Sequence, residues 1–166
     1  MNASAGTSAP RVLVLDDDEA LRGMLEELLG IRGFAVESAS TAEEAIGIWS
    51  RELAGGAPFC AALVDLSLGE GPGGEEFARG LRKLDPSARI LACTGNSADP
   101  VFCDPGSRGF DGALAKPFLV EDLVCGLDGI RAGGLRTQDR RDVPESPGSG
   151  CQNPPDNARI GAGEDL

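Results

Sequence analysis

The chain has 166 residues, a length that suits one domain with an ordinary core. Its 27 acidic residues against 15 basic ones give a net charge of −12, which argues against non-specific binding of nucleic acid or of an anionic membrane surface. Histidine and tyrosine are both absent, which excludes Ser-His-Asp and Cys-His catalysis, His-ligated zinc, a phosphohistidine carrier and any mechanism that needs a phenol.

Residues 1–10 are small and polar and read as a disordered lead-in. Arg11–Asp16 is a short apolar run that stops at acid, the pattern of a strand buried on both faces. Leu21, Met24, Leu25, Leu28 and Leu29 then fall on one stripe of a helix that ends before Gly33. A weaker strand spans Phe34–Ala39. Thr41 and Glu44 form a capping box that opens a second helix, with Ala42, Ala45, Ile46, Trp49 and Leu53 inward. Phe59–Asp65 is a third strand, again ending in acid, and a glycine-rich loop spans 69–74.

A helix from Glu75 to Leu84 carries Phe77, Leu81 and Leu84 on one face, and Arg89–Thr94 is a fourth strand. Prolines and glycines break residues 95–109, so any helix there is short or irregular. Phe110–Ala115 is a fifth strand, followed by Lys116-Pro117 and a last helix with Leu119, Leu123, Leu127 and Ile130 inward. Strands alternating with helices predict an α/β doubly wound, five-stranded parallel sheet flanked by helices, over residues 11–131.

Residues 132–166 lose this periodicity and read as a disordered acidic tail rich in Gly and Pro. The acid excess belongs to the body, where eleven basic residues through Arg131 face twenty-one acidic ones. Five cysteines at irregular spacing read as reduced thiols, with Cys60 and Cys93 as small buried hydrophobes. Without an apolar leader or a run of membrane-spanning length, the expected location is the cytoplasm.

In a parallel sheet all strands end on one side, and ligands bind at that carboxyl edge. There the first strand ends in Asp16-Asp17-Asp18, the third in Asp65, the fourth in Thr94 and the fifth in Lys116. Each residue alone has an ordinary explanation as a helix start, a cap or a solvated turn. Together, at successive strand ends, they point to one site. Lys116 gains weight because the chain has only two lysines.

These residues, in the stretches VLVLDDDEALRGML, ALVDLSLGEGPGGEEFARGL, ILACTGN and FDGALAKPF, resemble the receiver domain of two-component response regulators. The later stretches look most like receivers of hybrid sensor histidine kinases. The resemblance implies a flavodoxin-like, CheY-like fold and a phosphoacceptor. Asp65 would take a phosphoryl group from a sensor histidine kinase or a histidine phosphotransfer protein. Asp16, Asp17, Asp65 and the Ser67 carbonyl would hold Mg²⁺. Lys116 would pair with Asp65 at rest and with phosphoryl oxygens afterwards, on a loop aimed by a cis Pro117. Thr94 would bond the phosphoryl group and act as a switch. Gly95, Asn96 and Ser67 would tune its lifetime, while Asp18 and Glu19 would start the first helix.

The sequence departs from the family at Ala113, where many receivers carry a switch aromatic, and Phe110 is the nearest substitute. Signalling is expected through protein–protein contacts with an unidentified downstream partner, without a DNA-binding output domain, and a homodimer is left open. The chain would be a signalling phosphoacceptor rather than an enzyme with turnover. Three other readings compete. G-x-G-x-x-G at 69–74 suggests a dinucleotide site, but it follows the third strand and contains Pro72. Asp16-Asp17-Asp18 also fits a haloacid dehalogenase-like phosphatase, which leaves Asp65 without a role. A degenerate receiver used only for contacts is disfavoured by the complete set of pocket residues.

Overall fold

The computed structural model describes residues 9–69, 73–133 and 136–137. Strand β1 (Arg11–Leu15) leads into helix α1 (Glu19–Ile31), β2 (Ala35–Ala39), α2 (Ala42–Ala54), β3 (Ala61–Asp65), α3 (Gly74–Leu84) and β4 (Ile90–Thr94). Two 3₁₀ turns, Pro100–Phe102 and Gly106–Arg108, replace a regular helix before β5 (Gly112–Ala115) and α4 (Val120–Arg131). This is the irregular crossover that the prolines and glycines of 95–109 predict. A two-residue strand β6 (Arg136–Thr137) closes the described chain.

All strand pairs are parallel, in the order β2-β1-β3-β4-β5-β6. The first five are the predicted sheet. β6 lies within the stretch read as tail and pairs with Gly112 and Ala113. The rest of that tail, with Cys151, and residues 1–8 of the lead-in lie outside the described residues, as do residues 70–72 of the glycine-rich loop.

Alternate residues of the inner strands point to opposite faces, and both faces are covered. Leu13, Leu15, Val64 and Ile90 pack against Trp49 of α2 and Phe77 and Leu81 of α3. Val12, Val14, Leu63 and Leu91 pack against Leu25 and Leu29 of α1 and Leu123, Leu127 and Ile130 of α4. Two-sided burial is why these strands are uninterrupted apolar runs.

Some predicted inward positions are outward. Met24 is 46% exposed, Leu84 41% and Leu53 38%, because each lies at the margin of a stripe wider than the contact its helix makes. Leu119 is 68% exposed. It is the N-cap of α4 in extended backbone, not a helical residue, and its N–H donates to the Asp122 carboxylate at 3.1 Å. Cys93 is buried, whereas Cys60 is only half-buried. Among the described residues no helix is long and apolar enough to cross a membrane.

Candidate functional site at the carboxyl edge of the sheet

The strand register assembles the site. β1 and β3 are adjacent, with Leu15 level with Val64, so Asp16 and Asp65 leave the sheet side by side. β4 lies beside β3 with Cys93 level with Asp65, which puts Thr94 one step beyond. β5 lies beside β4 with Thr94 level with Ala115, so Lys116 emerges next to the threonine. From β1 the chain leaves to β2 on one side while β3 lies on the other, the switch point at which α/β sheets bind ligands.

Asp16 and Asp65 are 3% and 7% exposed, and Asp17 is exposed. One carboxylate oxygen from each of the three lies within 4.8 Å of the others. The two buried acids are held alike. Oδ1 of Asp16 accepts from the Asp18 N–H at 2.9 Å, and Oδ1 of Asp65 accepts from the Ser67 N–H at 3.0 Å. Each acid is thus oriented by the backbone two residues on. The Lys116 ammonium then bridges the remaining oxygens, at 2.8 Å from Asp16 Oδ2 and 3.1 Å from Asp65 Oδ2. Lys116 therefore pairs with both carboxylates, not with Asp65 alone.

Burial pulls the Lys116 ammonium down, but the Asp16 hydrogen bond and the Asp65 charge outweigh it and hold the group above its ordinary value. Lys116 is thus a fixed cation at neutral pH. Its peptide bond to Pro117 is cis, and its N–H donates to the Thr94 carbonyl at 2.8 Å. Thr94 is 1% exposed, and its hydroxyl accepts from the Asn96 N–H at 3.1 Å, which leaves the hydroxyl proton for another acceptor. Gly95 and Asn96 are exposed directly beyond it. Asp18 caps α1 by accepting from Ala20 and Leu21 N–H, as predicted. Burial pushes the Cys93 thiol, level with Asp65 on the neighbouring strand, up and keeps it neutral.

The structure places Ala113 in the core, 2% exposed, so no aromatic stands at that position. Phe110 is 1% exposed in the same apolar cluster as Ala113, packed between the sheet and its covering helices.

Three contributors are not evident from the sequence. Arg22 of α1 donates to the Asp16 carbonyl at 2.7 Å and ties the acidic turn to the helix. A Cβ on Gly74 would meet the Asp65 carbonyl at 2.6 Å, so glycine there lets α3 start directly against the end of β3. Gly69 N–H donates to Asp17 Oδ2 at 3.1 Å. The Gly69–Gly74 cluster signals only a loop, and nothing in it distinguishes a glycine needed for close approach from one needed for flexibility.

A parallel sheet with paired acids, a buried hydroxyl and a lysine at successive strand ends defines a receiver-type α/β domain. The family model of the response regulator receiver domain matches residues 12–128, and the chain belongs to that family. It is 30% identical over 118 residues to the C4-dicarboxylate transport transcriptional regulatory protein DctD of Rhizobium meliloti, covering 71% of this chain and 24% of that protein. It is 32% identical to the photosynthetic apparatus regulatory protein RegA of Rhodovulum sulfidophilum, covering 71% and 61%. The chain thus spans less than two thirds of the length of these curated relatives. Among solved structures, the CheY-like receiver domain protein of Methanospirillum hungatei is similar with a TM-score of 0.64 and 27% identity, covering 76% of this chain and 100% of the other. None of these three matches separates receivers of hybrid kinases from other receivers.

Proposed function

We propose that the chain is the phosphoacceptor of a two-component relay, with Asp65 as the acceptor. The supporting observation is the bridge of Lys116 across Oδ2 of Asp16 and Asp65 while the backbone holds both Oδ1 atoms. Three carboxylates and one ammonium leave a surplus of two negative charges, which suits one hard divalent cation with oxygen ligands. Asp16, Asp17, Asp65 and the Ser67 carbonyl would hold Mg²⁺, which when bound neutralises the charge that repels an incoming phosphoryl group.

The donor is a phosphohistidine of a sensor kinase or of a histidine phosphotransfer protein, the partners that the receiver family implies. An Asp65 oxygen forms the new P–O bond as the P–N bond breaks, and the electron pair stays on the imidazole nitrogen, which takes up a proton. Lys116 keeps its charge throughout and follows the developing phosphoryl oxygens as a point charge. The Thr94 hydroxyl donates to one of them. Gly95, Asn96 and Ser67 line the approach and tune how long the acyl phosphate lasts. Ala113 leaves the signal to the Thr94 loop and not to a swinging aromatic. The output is a protein–protein contact with a downstream partner. Cys60, Cys93 and Cys125 are free thiols, which supports the cytoplasm as location.

The test is incubation with acetyl phosphate and Mg²⁺, read by intact-mass spectrometry. The wild-type chain is expected to gain one hydroxylamine-labile phosphoryl group, and Asp65→Asn none. Equal incorporation into Asp65→Asn would overturn the assignment.

A further inference from the structure

Asp17 differs from its two partners. Asp16 and Asp65 are buried and fixed by their own turns and by Lys116, whereas Asp17 is exposed. An exposed carboxylate samples several rotamers, and ordering it for a ligand has an entropic cost. The hydrogen bond found for the Asp17 carboxylate comes from the other side of the site. Gly69, 52 residues later in the loop after β3, donates its N–H to Asp17 Oδ2 at 3.1 Å.

The approach is close from both sides. A Cβ built on Gly69 would lie 3.0 Å from the same Oδ2, closer than an ordinary van der Waals contact. Gly69 has no left-handed backbone, so conformational strain does not demand glycine there. What Gly69 supplies is an N–H donor and open space where a side chain would stand.

We propose that Gly69 is a positioning residue for the cation site: its N–H fixes Oδ2 of Asp17, and its missing side chain lets the carboxylate stay there with the other oxygen turned to the metal. This rests on the reading of Asp16, Asp17 and Asp65 as Mg²⁺ ligands and adds how the exposed ligand is held. Partners that orient a metal's ligands affect affinity about tenfold or more. The contact also links the two loops that carry the acids, so the length and placement of the loop after β3 bear directly on the β1 acids.

Mg²⁺ affinity, measured by isothermal titration calorimetry, tests the role without relying on phosphorylation. Two variants act differently: Gly69→Ala keeps the N–H and crowds Oδ2, and Gly69→Pro removes the donor. Both are expected to weaken Mg²⁺ binding by about tenfold, with melting temperatures in EDTA close to wild type. In an Asp17→Ala background, which removes the acceptor, neither substitution should weaken binding further. Unchanged affinity in both single variants, with the wild type binding Mg²⁺, overturns the positioning role alone. The same loss in the Asp17→Ala background also overturns it, because position 69 would then act through another group. A wild-type chain that binds no Mg²⁺ overturns the cation reading and this role with it.

Discussion

Lys116 stands between two buried carboxylates whose like charges oppose one another in the absence of a cation. It neutralises one charge and hydrogen-bonds both acids. Lys116→Met keeps most of the apolar stem and removes the ammonium, leaving Asp16 and Asp65 as unscreened neighbours. Without divalent cation this should lower stability by about 1–3 kcal/mol in urea denaturation. Added Mg²⁺ should recover more stability in the variant than in the wild type, because the cation no longer competes with an ammonium. The pH dependence follows from the raised Lys116 value. A group raised on folding stabilises fully below its unfolded value and loses that contribution only as pH rises through the folded one. The deficit of Lys116→Met should therefore stay constant between about pH 6 and 9. A deficit that vanishes within that range would show that Lys116 is not the fixed cation of the site.

Among the elements, α2 and the end of α3 are clamped by one polar contact in an apolar setting. Trp49 Nε1 donates to Asp85 Oδ2 at 3.1 Å, and the Ser87 N–H and hydroxyl donate to Asp85 Oδ1 at 3.0 and 2.6 Å. Burial raises the Asp85 carboxyl, but the Ser87 and Trp49 hydrogen bonds outweigh it and hold it below the usual carboxylate range. A carboxyl lowered on folding stabilises above its unfolded value, near 3.8, and loses this as pH falls through the folded one. Asp85→Asn should thus cost about 1–2 kcal/mol at pH 7, with the gap to wild type narrowing below about pH 4. Denaturant melts at neutral and acid pH check this, and a gap independent of pH would show that the carboxylate charge is not what holds the clamp.

The same elements show why the sequence was legible where it was. Acid at the ends of β1 and β3, Thr94 and Lys116 are readable because a parallel sheet brings all strand ends to one edge, so order along the chain becomes proximity. Thr41 is readable as a cap because its hydroxyl accepts from Glu44 N–H one turn on, while the Glu44 carboxylate reaches Ser40 N–H. The exposure of Met24, Leu84 and Leu119 was not readable, since periodicity gives the direction of a stripe and not how much of it the neighbouring layer covers. Nor were the Gly69–Asp17 bond and the β6–β5 pairing, which depend on loop paths that no periodicity encodes.

For the whole molecule the charge has two parts. Most of the −12 comes from residues other than the three clustered acids, and monovalent salt screens charge that is exposed to solvent. Three of the carboxylates converge within 4.8 Å, two of them against a single ammonium, and on the proposed cation reading that local surplus should respond to one divalent ion more than to ionic strength. Binding to the folded state alone adds stability by mass action, about 2.7 kcal/mol at a hundredfold excess over Kd. For a domain of this size that corresponds to a melting temperature roughly 5–10 °C higher. Asp65→Asn, with one carboxylate charge removed, should melt higher than the wild type in EDTA because the repulsion is relieved, and should gain less from Mg²⁺. Thermal melts in Mg²⁺ and in NaCl of matched ionic strength separate the two parts of the charge. Equal shifts in the two salts for the wild type would mean that the acids act as surface charge and that no cation is held at the edge of the sheet.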